Sequence, residues 1–513
     1  MSPLPAQASD RPRAAALSRA AQIAAGAIGA LAISYFLWYI AIASHYPADD
    51  AFIHMRIARN FVATGAPYFN PGEPVAATSS PLWTILLAGI FAVAGPQPGA
   101  VVLVGALSTI GLYLALAFLI GHDLGPVAAA AAAALIVACT ALPVAAELME
   151  TPLALLLWSL SLISLRERAY IRAGLLAGLA LCARYEFVLW LGFAFAAAAG
   201  RDGKKRFAIG AAWPVLGLLL FNIGYFGSII PNTIRAKSII YSLSFADSAL
   251  LLRLGYPLEL LAPLLGLIAI LGILLLRDPA RWPLAATLAF GAALAALYVA
   301  RRTLVFEWYT PLYLLPLLTG CSLALAAADR RRRLLAAVLL ACIAAAPLAA
   351  AGREASGLIA GRHDALTAYG PGLRVQRYLQ IGAQLSARYP GASLLTSEIG
   401  GLGWAFPYRI IDGAGLVTPE LLRYHPMAVP AERPDGSLGA IPPQAVRDTR
   451  PDLIVSMEIF STALRREMAA GALPGYRLEA SYPVLAEPSD GSANPGIFWG
   501  SRVTEVYVRV DGP

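Results

Sequence analysis

The stretch Tyr46–Pro81, YPADDAFIHMRIARNFVATGAPYFNPGEPVAATSSP, decides how the rest of the chain is read. It follows a long apolar run and begins with two adjacent carboxylates, Asp49 and Asp50. His54, Arg56, Arg59 and Asn60 follow within about two or three helical turns. Pro67, Asn70, Pro71, Gly72, Pro74 and Pro81 then punctuate a loop. A polar, acid-bearing loop at the mouth of a membrane helix is costly unless it is used.

Composition places that loop in a membrane protein. Of 513 residues, 58% are hydrophobic and 14% charged, with a mean hydropathy of +0.65. A soluble globular chain carries roughly 25% charged residues. The net charge of +8 sits in short loops between apolar runs, as membrane orientation requires, and not in a stripe with interleaved aromatics. No nucleic-acid partner is expected. Cys139, Cys182, Cys321 and Cys342 all lie in apolar runs and suggest neither a disulfide framework nor a metal site.

Apolar runs fall at about 20–44, 99–120, 126–145, 152–165, 173–183, 187–200, 207–227, 250–276, 284–300, 309–328 and 334–350. A spanning helix takes about 20 residues. Basic loops at 166–172, 201–206, 277–281 and 330–333, with the basic N-terminus, are assigned to the cytoplasm. Helices between them must then come in pairs, which gives eleven spans with the C-terminus outside. By the same parity, Leu82–Gly95 is a helix lying on the outer leaflet. The expected division is a cytoplasmic tail 1–19, a transmembrane domain 20–351 with its first outer loop at 45–98, and an extracytoplasmic domain 352–513.

Beyond 351, charges, prolines and glycines rise to soluble density. Val375–Tyr389 has helical spacing, and Ser393–Thr396, Tyr408–Ile411, Leu453–Ser456 and Thr504–Val510 read as strands. The alternation predicts a small α/β domain.

On the outer side, Asp49 follows the exit of the first helix and is the expected general base, with Asp50 as its support. The competing reading makes Asp50 the cap of a helix beginning near Ala51. Asn232, Arg235 and Lys237 lie on an outer loop where basic residues are disfavoured; they hold a phosphate or face solvent and lipid headgroups. Arg301 and Tyr309 lie in a similar cluster, where the aromatic can also be an interfacial anchor. Glu150, Arg184 and Glu186 contact substrate or pair as structural ions. His54 and Arg56 complete the candidate substrate contacts. Gly400-Gly401-Leu402-Gly403 lacks the residues of a nucleotide-binding loop and receives no role.

These blocks carry a resemblance. DDAFIHMRIARNFVATGAPYFNPGEPV with SSPLW, then METPL, ARYE, PNTIRAKS and FEWYTPLYLLP, and finally SEIGGLGWAFPYRIIDGAGLVTPELL, resemble bacterial membrane glycosyltransferases of the type C superfamily. Within it, the chain is similar to arabinofuranosyltransferases that use decaprenyl-phosphoryl-arabinose. The resemblance implies a polytopic α-helical membrane protein of the bacterial cytoplasmic membrane with a C-terminal extracytoplasmic α/β domain. It implies a polyprenyl-phosphate sugar donor and a glycan, lipid or protein acceptor. It makes Asp49 or Asp50 the catalytic base. In ARYE, Tyr185 replaces the more usual proline of the family. The leaving phosphate needs no strong acid; basic groups, with or without a divalent ion (Mg, Mn or Ca), stabilise it. Two other classes stay open, a lipid-linked-sugar transporter and a glycan-assembly scaffold.

Overall fold

In lipid every backbone N–H and C=O must be paired within its own segment, so long apolar runs fold as helices. The computed structural model describes residues 19–240, 243–254, 256–327, 329–360, 369–427, 441–473, 475–486 and 500–510. Apart from Arg19, the expected tail at 1–19 lies outside the described residues.

Helix α1 (Arg19–Ala43) leads into the loop helices α2 (Asp49–Thr64) and α3 (Pro81–Ala94). The chain continues through α4 (Pro98–Leu124), α5 (Pro126–Cys139), the short α6 (Ala141–Ala146), α7 (Thr151–Arg166), α8 (Tyr170–Ala183), α9 (Val188–Ala197) and α10 (Gly200–Phe226). A long connection holds α11 (Asn232–Ile240) and α12 (Phe245–Leu250). Then come α13 (Leu258–Leu275), α14 (Trp282–Ala300), α15 (Thr310–Ala327) and α16 (Arg330–Ile359). Each of the eleven apolar runs carries an apolar helix, and the run at 126–145 carries both α5 and α6. Among the described residues seven helices are long and apolar enough to cross a membrane, namely α1, α4, α10, α13, α14, α15 and α16. The chain is a multi-pass membrane protein.

Small residues bring the helix backbones together. At the α8–α10 crossing, a Cβ on Gly174 would lie 2.0 Å from the Phe207 carbonyl oxygen, and one on Gly210 would lie 2.0 Å from that of Ile171. Arg166 donates to Asp123 at 2.9 Å, so the α4–α5 and α7–α8 turns share one end of the bundle. The opposite end gathers Glu150, Arg184, Lys237 and Tyr309.

The loop corrects one expectation. Helix α2 begins at Asp49, two residues before the expected start, with Ala48 at the cap position and no side-chain cap. The Ala48 N–H donates to the Glu147 carbonyl at 3.1 Å, which fixes the chain just before the helix. Asp50 is therefore inside the first turn and caps nothing. Both carboxylates sit at the positive end of the helix dipole. Helix α2 stops at Gly65, whose φ of 74° suits the left-handed C-cap. Helix α3 is about 21 Å long at 1.5 Å per residue, too short to span. It buries Trp83, Leu87 and Phe91, and Phe91 meets the ring of Trp404.

The C-terminal region comprises α17 (Tyr369–Arg388), β1 (Leu394–Thr396), α18 (Gly400–Ala405), β2 (Ile410–Asp412), α19 (Pro443–Thr449), β3 (Leu453–Met457), α20 (Thr462–Ala469), β4 (Tyr476–Pro483) and β5 (Val503–Arg509). The sheet order is β2-β1-β3-β5-β4. Strands β2, β1 and β3 are parallel, and β5 and β4 complete the sheet antiparallel. From β1 the chain passes to β2 on one side and then returns to β3 on the other. Four strands match the sequence reading. The edge strand β4 does not, because Arg477, Glu479 and Ser481 interrupt any apolar run there.

Candidate functional site

Asp49 turns away from the bundle. Its carboxylate accepts the backbone N–H of Gly400 at 2.9 Å and that of Gly401 at 2.9 Å. A Cβ on Gly400 would lie 1.9 Å from the Asp49 carbonyl oxygen, so only glycine permits this approach. Behind it, Glu398 is held by Arg374 and the Tyr378 hydroxyl. Burial raises the Asp49 carboxyl pKa, while Arg374 and the two amides work to lower it. The Gly-rich stretch without a role in the sequence reading is thus what receives Asp49.

Asp50 faces the other way. Its Oδ2 lies 3.3 Å from Lys237 Nζ, and 26% of the side chain is exposed. Lys237 also donates to the Tyr309 hydroxyl at 3.0 Å. The Tyr309 ring stacks on Tyr298 with centroids 5.6 Å apart, and the Arg184 guanidinium lies 4.8 Å from its centroid. Arg184 donates to Glu150 at 2.5 Å and grips both oxygens of Glu186, at 2.5 and 3.2 Å. His54 Nε2 is 3.8 Å from Glu150, and Nδ1 is 3.2 Å from the Thr78 hydroxyl. A continuous polar chain thus runs from α2 across the end of the bundle.

Lys237, Arg184, Glu186, Tyr298, Arg301 and Tyr309 line a cavity of about 330 Å³ with Val188, Leu189 and Leu297. Asp50 lies one hydrogen bond behind that wall. A second cavity, about 560 Å³, lies between α9, α13 and α14 and is lined by Ala196, Ile268, Gly272, Ala289 and Ala296. It starts one residue from Leu297 on α14.

Other candidates lie away from the cavity. Arg56 is buried and donates to the carbonyls of Phe69 at 2.9 Å, Phe406 at 2.7 Å and Tyr408 at 2.8 Å, and to that of Gly403. Asn232 donates to the carbonyls of Gly415 and Leu416, both at 2.8 Å. Arg56 and Asn232 thus bind backbone of the C-terminal domain. His54 and Glu150 support Arg184 from behind. Arg235 is exposed and does not line the cavity, which separates it from Lys237. Tyr298 was missed by sequence reading, since one more tyrosine in an apolar helix carries no signal. Among the described residues no group of three or more His, Cys, Asp or Glu converges to hold a metal ion. The cations lining the cavity are Lys237, Arg301 and Arg184, the last tied to Glu150 and Glu186.

A family described as a domain of unknown function (DUF8728) matches residues 368–507. No curated protein matches the chain. Among solved structures, ArnT from Cupriavidus metallidurans bound to undecaprenyl phosphate aligns with a TM-score of 0.51 and 13% identity, over 95% of this chain and 99% of that one. Its apo state aligns with a TM-score of 0.51 and 13% identity, over 96% and 100%. At that identity the likeness is one of fold. The chain carries the type C glycosyltransferase fold, a polytopic helical membrane bundle with a C-terminal α/β domain.

Proposed function

We propose that the protein is a membrane glycosyltransferase that moves a sugar from a polyprenyl phosphate to a hydroxyl of an extracytoplasmic glycan, lipid or protein. The observation that carries this is the Asp50–Lys237 pair at a cavity lined by cationic groups, with a separate apolar cavity between α9, α13 and α14. The undecaprenyl phosphate bound by the structural neighbour supports a lipid of that class as donor.

Asp50 is the general base. Its exposed face takes the proton of the acceptor hydroxyl, and its contact with Lys237 fixes where that carboxylate lies. Lys237 and Arg301 face the donor phosphate. The acceptor oxygen bonds to the sugar's anomeric carbon as the bond from that carbon to the phosphate oxygen breaks. Polyprenyl phosphate leaves with the electron pair, stabilised by the two cations. The lipid tail lies along α9, α13 and α14. Asp49 is not the base in this reading, because two amides already hold its oxygens. The basic loops at the opposite bundle end support an extracytoplasmic site in the cytoplasmic membrane of a bacterium. Arabinofuranose is the sugar that the sequence resemblance favours.

Purified protein in lipid nanodiscs, given radiolabelled polyprenyl-phosphate sugars, should release polyprenyl phosphate and label an acceptor from envelope extracts. Mass analysis of envelope glycans from a deletion strain should show one missing sugar. Movement of intact lipid-linked sugar across the bilayer with no transfer would establish the transporter reading instead.

A further inference from the structure

The two members of the Asp50–Lys237 pair come from separate elements, α2 and α11, 187 residues apart in sequence. Each element is fastened to the C-terminal domain close to its member of the pair. On α2, Asp49 takes the amides of Gly400 and Gly401. Two turns on, Arg56 grips carbonyls of the same domain. On α11, the first residue, Asn232, bridges the carbonyls of Gly415 and Leu416.

These attachment points are not independent. Gly400 and Gly401 follow β1, and Gly415 and Leu416 follow β2. The two strands are adjacent and parallel, paired Leu394 to Ile410 through Thr396 to Asp412. Neighbouring strands are held about 4.8 Å apart by their ladder. The second loop is rigid, because Asp412 accepts the amides of Ala414 at 2.8 Å, Leu416 at 2.5 Å and Val417 at 3.1 Å. The Gly413 amide also returns to the Thr396 carbonyl at 2.7 Å. One stiff sheet edge therefore sets the distance between the start of α2 and the start of α11.

We propose that the C-terminal domain positions the Asp50–Lys237 pair, with Asp49 and Asn232 as the positioning residues that hold the two helices to adjacent strand ends. Neither residue touches substrate. This inference rests on the proposed transfer reaction for its rate readout, but its structural readout does not.

The test uses the full chain in nanodiscs, with Asp49→Asn, Asn232→Ala and the double variant. Hydrogen exchange should rise at the starts of both α2 and α11 in either single variant, while the bundle helices and thermal stability stay near the parent. Each single variant should lower kcat by roughly 10- to 100-fold, the range for misplacing a reacting group by about 1 Å. Affinity for the probe undecaprenyl phosphate should stay within about twofold. The double variant should be little worse than the poorer single one, because both undo the same register. Gly400→Ala is an independent probe, since its Cβ meets Asp49 backbone. Unchanged exchange at α11 in Asp49→Asn overturns the proposal. So does a loss of kcat with altered acid limb and unchanged exchange, which makes Asp49 a base. Exchange changes confined to α2 and α11 in a protein that transfers no sugar keep the proposal and remove the transferase reading. Parent kinetics and parent exchange in both variants do the reverse.

Discussion

Asp49 meets the C-terminal domain, two backbone amides backed by Arg374 and Glu398. Asp50, the next residue, pairs with the Lys237 ammonium, which lines the cavity. Successive helical positions point about 100° apart, so one α-helical start sends its two acids to opposite walls. A carboxylate whose oxygens are taken by fixed amides serves structure. One that faces a long, adjustable lysine can exchange a proton. Local sequence treats the two as equivalent, and only their surroundings divide the roles.

The largest expected effect falls on Asp50. Asp50→Asn keeps the shape and removes the proton acceptor, and should cut turnover by roughly 100-fold or more. Single-turnover kinetics with a lipid-linked donor check this. A greater loss in Asp49→Asn than in Asp50→Asn would reverse the comparison.

Lys237→Ala should lower kcat/KM by about 10- to 100-fold, since a hydrogen bond to a charged group contributes roughly 1.5–3 kcal/mol. Titration with undecaprenyl phosphate separates the binding share from the rate share. Parent values for both would detach the cavity from the reaction.

The C-terminal domain, where Asp412 holds the loop that receives Asn232, is sharpened by pH. Burial lifts the Asp412 carboxyl to about 6, against the pull of the backbone amides it accepts. An unfolded aspartate ionises near ~3.9. Between about pH 4 and 6 the folded chain keeps a proton that the unfolded chain has lost, so this contribution is full below about 4 and fades as pH rises through 6. The apparent Tm of the parent minus that of Asp412→Asn should therefore fall over that window. A flat difference would mean the carboxyl is not closed off and the 413–417 loop is not held as described.

Arg235→Ala is the smallest change, within about twofold of parent kinetics, as for surface substitutions generally. Donor KM measures it, with Arg301→Ala as the companion that should raise KM. Equal effects in the two would put Arg235 back beside the phosphate.

The bundle was legible because hydropathy is local. The apolar runs became helices. The strand cores Leu394–Thr396 and Leu453–Met457 were legible for the same reason. The partners of Asp49 were not, because they lie 351 and 352 residues away. Nor does composition show that Arg56 binds four carbonyls, since a buried and a solvated arginine look alike in a sequence. Gly400-Gly401 was visible as a motif, but its occupant was not.

In open α/β sheets, ligands sit outside the carboxyl ends of parallel strands, where the chain reverses its direction across the sheet. Here that reversal lies at β1, between β2 and β3. The helix that starts beyond β1 has its first amides filled by Asp49. The domain's own ligand crevice is therefore occupied by the loop helix α2, as a ligand tethered within the same chain. A tethered partner acts at an effective concentration on the order of millimolar. The amides that would otherwise receive a dissolved carboxylate are thus already filled from within the chain.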